Sequence, residues 1–169
     1  MRQVLLFFSL LSTLVSCGQP KQKKVDYPSQ VGDIASDLTV DDPDFTLCDE
    51  RQVYQYYNFG KGLQYNGEKI KINQHFKDGY KIQHQKMESG FLTIRFVVNC
   101  QGKTGRYRAY GMDNDYHEKT FDQDLTVQLL TLTKKLDGWI PGALEGKTYD
   151  YYQYLTFKIE NGELREIMP

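Results

Sequence analysis

The sequence predicts an α+β fold, with a small antiparallel sheet of about three to four strands packed against two helices. Two segments, residues 90–99 and 149–159, largely alternate apolar and polar side chains, which is the pattern of strands with one buried face. A third segment, residues 121–136, repeats its apolar residues every three or four positions, which is the period of an amphipathic helix. Strands and helices in this order predict a two-layer domain.

The first clear strand covers residues 90–99. Its expected inner face carries Leu92, Ile94, Phe96 and Val98, and its outer face carries Thr93, Arg95, Val97 and Asn99. A tight reversal over residues 100–103 leads into a weaker, half-polar strand at 104–112. Because only one face of these strands is strongly apolar, we expect an antiparallel pair with its other face in water.

Two helices are predicted, one before and one after this strand pair. The first runs from Asn66, a typical helix-capping residue, to about residue 77, with Glu68 in its first turn, where the helix dipole favours an acid. The second follows the capping box that begins at Thr120 and ends near Gly138. Its apolar stripe consists of Phe121, Leu125, Leu129, Leu132 and Leu136. We expect this stripe to cover the sheet.

The C-terminal part of the chain predicts a tyrosine-rich strand and a short return strand. One side of the tyrosine-rich strand carries Tyr149, Tyr151, Leu155, Phe157 and Ile159. The dipeptide Asn161-Gly162 is a strong turn signal and predicts a further strand at 164–167. Upstream, the aromatic composition of residues 51–59 predicts a short edge strand.

The N-terminal residues indicate export. An apolar run from Val4 to Val15 follows Arg2. A membrane-spanning helix needs about 20 apolar residues, so this shorter run indicates a secretory signal. Residues 14–17, Leu-Val-Ser-Cys, resemble the lipobox of bacterial lipoproteins, in which the cysteine is acylated; an ordinary cleaved signal is the alternative. Several acyl chains on Cys17 would hold the protein firmly on a bilayer.

The chain is accordingly divided into three parts. We expect a lipoprotein signal peptide at 1–16, a lipidated tether at 17–45 and one folded domain at 46–169. The tether is rich in proline and polar residues and lacks the period of a strand or a helix. Gly18 rather than Asp follows the cysteine, which by resemblance to lipoprotein sorting in some bacteria favours the outer membrane. The periplasmic face is expected, and surface exposure stays open.

Charge and cysteine content limit the function further. The formal net charge is −1, so no basic excess indicates nucleic-acid binding. Besides Cys17, the chain has Cys48 and Cys100, which in an oxidising envelope form either a disulfide or two unpaired thiols. A disulfide would close a loop of about fifty residues and contribute roughly 4 kcal/mol in the chain-entropy model.

Several segments together resemble the C-terminal domain of TonB proteins. Tyr65–Phe76 is similar to the helix that opens many of these domains, and Gly90–Gly102 resembles their strand and glycine turn. Phe121–Leu125 resembles the start of their later helix, Trp139–Lys147 resembles their W-x-P-G-x-x-x-G-K element, and Tyr154–Ile159 resembles their closing strand. These matches follow the family's order and span most of the predicted domain.

The resemblance implies a sheet edge that accepts an extended peptide from an outer-membrane transporter by strand addition. The edge expected here is the strand at 149–157, with Tyr152 and Tyr154 facing outward; the alternative is that these tyrosines cover the core or a wet sheet face. The chain differs from energy-transducing members of the family, which carry a transmembrane helix and a long proline-rich spacer in place of a lipid anchor and a short tether.

We therefore expect a membrane-anchored periplasmic protein-binding module. Its expected partners are the bilayer, through Cys17, and an envelope protein such as an outer-membrane transporter; the alternative is a structural or assembly lipoprotein without transporter coupling. We predict no enzyme, cofactor or metal site, because His75, His84 and His117 lack metal-ligand spacing and no G-x-S-x-G or C-x-x-C element occurs. The polar group at 113–118 is expected to be a solvated loop.

Overall fold

The computed structural model describes residues 32–82 and 87–168. In this part of the chain six strands form a mixed sheet and two α-helices cover one of its faces. The strands are β1 (Val53–Gln55), β2 (Gly90–Val98), β3 (Thr104–Met112), β4 (Gly142–Leu144), β5 (Lys147–Glu160) and β6 (Glu163–Met168). The helices are α1 (Glu68–Gly79) and α2 (Gln123–Lys134), and a 3₁₀ helix (Tyr56–Phe59) follows β1. The predicted α+β class is confirmed. The sheet is larger than the three to four strands expected, and it is mixed rather than wholly antiparallel, because β1 runs parallel to β5.

The long strand β5 organises the sheet. One side of β5 pairs with antiparallel β2 along 151–159, and β2 pairs in turn with β3. The other side of β5 is shared by β1, which runs parallel to it at 150–152, and β6, which runs antiparallel at 156–160. The strand β4 forms a hairpin with the start of β5. The sequence predicted a short edge strand at 51–59 but not its parallel pairing with β5, because a three-residue strand carries no measurable alternation.

The core lies between the sheet and the two helices. The buried faces of β2 and β5 are those predicted from their alternation, and they contribute Leu92, Ile94, Phe96, Val98, Tyr151, Leu155, Phe157 and Ile159. The rings of Phe76 from α1 and Phe157 meet with their centroids 4.8 Å apart. The predicted stripe of α2 is buried as well, although the helix is capped by Asp122 rather than by Thr120.

A smaller core lies on the opposite face of the sheet. Ile34 is 4 % exposed and packs with Val97 and Tyr152, and Phe45, Leu47 and Val53 surround them. We call residues 32–52 the N-terminal arm. Its first residues pack against the sheet through Ile34. The assignment of residues 32–45 to the tether is wrong, because Ile34 and Phe45 at its two ends pack against the sheet. The sequence did not predict this packing, because burial of a single isoleucine leaves no periodic signal.

Candidate protein-binding surface

The strand predicted to accept a peptide lies in the interior of the sheet. The segments β1 and β6 occupy the side of β5 that faces away from β2. Tyr152 is 9 % exposed beneath the N-terminal arm, and the Tyr154 hydroxyl lies 3.3 Å from that of Tyr56. This hydrogen bond, with partial burial, raises the pKa of Tyr56 to about 12. The prediction of a free binding edge along 149–157 is wrong, because β1 pairs with residues 150–152 and β6 pairs with residues 156–160, which leaves only a short gap around Tyr154.

Of the two states that the sequence left open for Cys48 and Cys100, the structure has the disulfide. Their Cα atoms lie 6.1 Å apart, within the usual range. The adjacent Asp150 carboxylate is 1 % exposed and accepts the N–H groups of Cys48 (2.7 Å), Asp49 (3.0 Å) and Cys100 (2.7 Å). One buried carboxylate and one disulfide thus join the N-terminal arm to the turn after β2.

The two described histidines lie apart from each other. His75 Nε2 lies 2.9 Å from the Leu132 carbonyl oxygen, whereas His117 is exposed in the loop after β3. Potential ligand atoms of Asp113, Asp115 and His117 lie within 4.8 Å of one another. However, Asp113 Oδ1 accepts the N–H groups of Asp115 and His117, so the carboxylate shapes a turn.

Two predicted features lie outside the described residues, namely Cys17 as the lipid-attachment site and His84. Within residues 32–82 and 87–168, no helix is long and apolar enough to cross a membrane. The predicted anchor therefore stays a prediction from the N-terminal sequence.

The outer edge of β3 borders the sheet on the side opposite β6. The Lys119 N–H donates to the Gly111 carbonyl (2.9 Å), so the backbone groups of Gly111 and Ala109 point away from β2. At the other end of β3, Arg106 has a φ of 54° and lies at a register shift against β2. Between these points, the outward groups of Ala109 bond to no other segment that the structure describes. A short stretch of this edge is therefore open.

Exposed apolar side chains gather around this edge. We define the β3-edge surface as five residues with their exposed fractions: Leu38 (90 %), Val40 (64 %), Tyr110 (49 %), Tyr116 (72 %) and Val127 (51 %). A hollow of about 630 Å³ between β3 and α2 contains Tyr110, Tyr116 and Val127. A second hollow of about 580 Å³ lies between Leu38 and Tyr110, and a third of about 300 Å³ lies beside Val40.

The N-terminal arm presents Leu38 and Val40 on a hydrogen-bonded loop. The Asp37 carboxylate accepts the N–H (2.9 Å) and the hydroxyl (2.6 Å) of Thr39. The Asp41 carboxylate accepts the Asp37 N–H (2.8 Å) and closes the loop. The side chains of Leu38 and Val40 take no part in this network, so their exposure is built into the loop's geometry.

Arginines of β3 fix the N-terminal arm, including this loop, to the sheet. Arg108 donates two hydrogen bonds to Asp41 (2.6 and 2.9 Å) and one to the Ala35 carbonyl (2.9 Å). The hydrogen bonds from Arg108 hold the pKa of Asp41 below its ordinary value of 3.8. Arg106, which is buried, donates to both carboxylate oxygens of Glu50. The loop that carries Leu38 and Val40 is therefore held to β3 by charge-assisted hydrogen bonds.

Comparison of the chain with known protein families, curated proteins and solved structures found no match. The resemblance to TonB C-terminal domains stays a prediction.

Sequence reasoning missed this surface because its residues come from three separated segments. One available signal was the small size of Ala109 and Gly111, which lie opposite the buried Ile94 and Leu92 of β2. Small residues at core-facing positions leave space between a strand and its covering helix. A second signal was the pair of apolar residues between Asp37 and Asp41, where a solvated turn would carry polar ones.

Proposed function

We propose that this protein is a lipid-anchored protein-binding module of the cell envelope, which docks on its partner through the β3-edge surface. The observation that carries this proposal is the grouping of five exposed apolar side chains around one open sheet edge. Single exposed apolar residues are ordinary on soluble proteins, whereas a group that lines adjoining hollows is typical of an interaction site.

The chemistry of the hollows supports binding rather than catalysis. Three of their basic side chains, Arg106, Arg108 and Lys119, each face a carboxylate of the same chain. The Lys119 ammonium also lies 4.5 Å from the centre of the Phe121 ring and donates to the Ser89 carbonyl. Groups held in this way stabilise the walls of a hollow and are not poised to exchange protons with a substrate.

The predicted anchor limits where the partner lies. A tether from Cys17 to the start of the arm at Gly32 has 14 intervening residues, which reach at most about 50 Å when fully extended. The domain would thus stay close to its membrane, proposed to be the outer membrane at its periplasmic face. A partner that is itself a membrane protein or a membrane-attached complex fits this restriction.

An assembly role on an envelope complex is favoured over peptide capture from a transporter. Strand addition at β5, as the TonB resemblance implies, would first require β1 or β6 to leave the sheet. The β3-edge surface needs no such displacement, although the family resemblance still supports protein binding as the general role.

Site-specific photo-cross-linking in cells tests the proposal. A photoreactive amino acid at Leu38 and, separately, at Val127 should capture the same envelope protein, because both side chains belong to one surface. Ile70 on α1 is the matched control, since it is 78 % exposed on the helix that lies beside β6. Capture of one protein from all three positions, or from none, would contradict the proposal.

A further inference from the structure

Around the β3-edge surface, exposed acids without an ion pair outnumber the bases without a carboxylate partner. Several of the bases that border it are neutralised, since Arg106 pairs with Glu50 and Lys119 lies 3.8 Å from Glu88. Arg108 is likewise held by a carboxylate of the N-terminal arm. These cations therefore stabilise the surface from within and contribute little attraction for an external anion.

Besides Asp37, which binds Thr39 in the loop of the arm, three exposed acids remain at the two ends of the surface. Asp42 follows the loop that carries Val40, and Asp115 and Glu118 flank Tyr116 in the loop after β3. Within the described residues, none of these three carboxylates forms an ion pair. Two cations near the surface have no carboxylate partner within the described residues. Lys134 lies over the Tyr107 ring in the hollow that also contains Asp42. The Arg95 guanidinium lies 5.9 Å from the centre of the Tyr110 ring and donates to the Gly32 carbonyl.

An apolar surface with acidic ends restricts the chemistry of its partner. An anionic lipid surface or an acidic protein segment would meet like charges at both ends, which costs affinity and slows association. A cationic segment would meet complementary charge there while its apolar side chain enters the hollow beside Val127. Such complementarity steers encounter and fixes the orientation of the bound segment.

We propose that the β3-edge surface binds a basic protein segment, in which an apolar side chain is flanked by lysine or arginine. This inference rests on the proposed function and adds the chemical class of the partner. The acids Asp42 and Glu118 would contact the flanking cations, and Val127 would contact the apolar side chain.

The segment captured by photo-cross-linking at Val127 gives the first test. Sequencing of the cross-linked peptide should reveal lysine or arginine on both sides of the attachment point. A neutral or acidic segment would overturn the inference but leave the proposed function intact. Cross-linking to lipid instead of protein would overturn both, as would the absence of any cross-link.

The second test measures association of a synthetic peptide of that captured segment with the full-length lipoprotein in neutral detergent. Raising the salt concentration from low to about 0.5 M should slow association about tenfold. The triple variant Asp42→Asn, Asp115→Asn, Glu118→Gln should associate severalfold more slowly, whereas Glu166→Gln on β6 should behave as the unaltered protein. Salt-independent association, or equal effects of the triple and control variants, would overturn the inference.

Discussion

Replacing Asp150 by Asn should lower the free energy of unfolding by about 2–4 kcal/mol. In the unaltered protein one carboxylate oxygen accepts the N–H groups of Cys48 and Asp49, and the other accepts that of Cys100. Asparagine keeps one acceptor oxygen and places an amide NH₂ where the second oxygen lay. At least one backbone N–H then faces another donor at a site that is 1 % exposed.

The magnitude follows from two contributions. A backbone N–H that loses its acceptor in a buried site costs about 1–3 kcal/mol. The hydrogen bonds that remain lose the assistance of the negative charge, which removes about 1 kcal/mol more. The disulfide stays intact in the variant, so it continues to restrict the unfolded chain and does not contribute to the difference.

Urea unfolding of the oxidised protein, followed by the fluorescence of the single tryptophan, Trp139, measures this change. Asp49→Asn is the matched control, because Asp49 pairs at the surface with Arg51, whose side chain is 90 % exposed, and should change stability by less than about 1 kcal/mol. An Asp150→Asn variant within about 0.5 kcal/mol of the unaltered protein would refute the proposed role of Asp150.

Three further predictions concern the arm and the tyrosine pair. Serine at both Cys48 and Cys100 should cost about 4 kcal/mol in urea unfolding, since the closed loop spans 52 residues; an unchanged midpoint would contradict it. Because Arg108 lowers the folded-state pKa of Asp41, their contribution is present above about pH 4 and is lost as the pH falls through the lowered value, so Asp41→Asn should flatten this part of the acid stability profile. The pKa of Tyr56, raised to about 12, means that stability is lost as the pH rises from about 10 through 12. Tyr154→Phe should move the pH of the tyrosinate absorbance transition of Tyr56 down toward its ordinary value. No movement would contradict the assigned hydrogen bond.

The sequence predicted those parts of the fold that depend on period. The strand β2 lies within the predicted range 90–99 with its predicted inner face buried, and the apolar stripe from Leu125 to Leu136 is buried as predicted. In both cases each residue's environment repeats regularly along the chain, so a local pattern carries the information.

Contacts between distant segments were not predictable in this way. The pairing of β1 with β5 joins residues about a hundred positions apart through three residues, and burial of Ile34 depends on a strand far along the chain. The open edge was misplaced because Tyr152 and Tyr154 alternate as an edge strand would, whereas β1, from about a hundred positions upstream, and the return strand β6 pair with the stretches of β5 at 150–152 and 156–160. Of the residues in the β3-edge surface, only Tyr110 could be placed from the alternation of its strand, which predicts that its side chain points away from the core.

The most direct test of the central claim is the effect of Val127→Glu on recovery of the captured partner with the tagged lipoprotein. A charge in the hollow between β3 and α2 should weaken binding by about 30-fold or more, whereas Ile70→Glu on α1 should leave recovery unchanged. Both residues are exposed, so both variants should retain the unfolding midpoint of the unaltered protein. Full recovery of the partner with Val127→Glu would contradict the account.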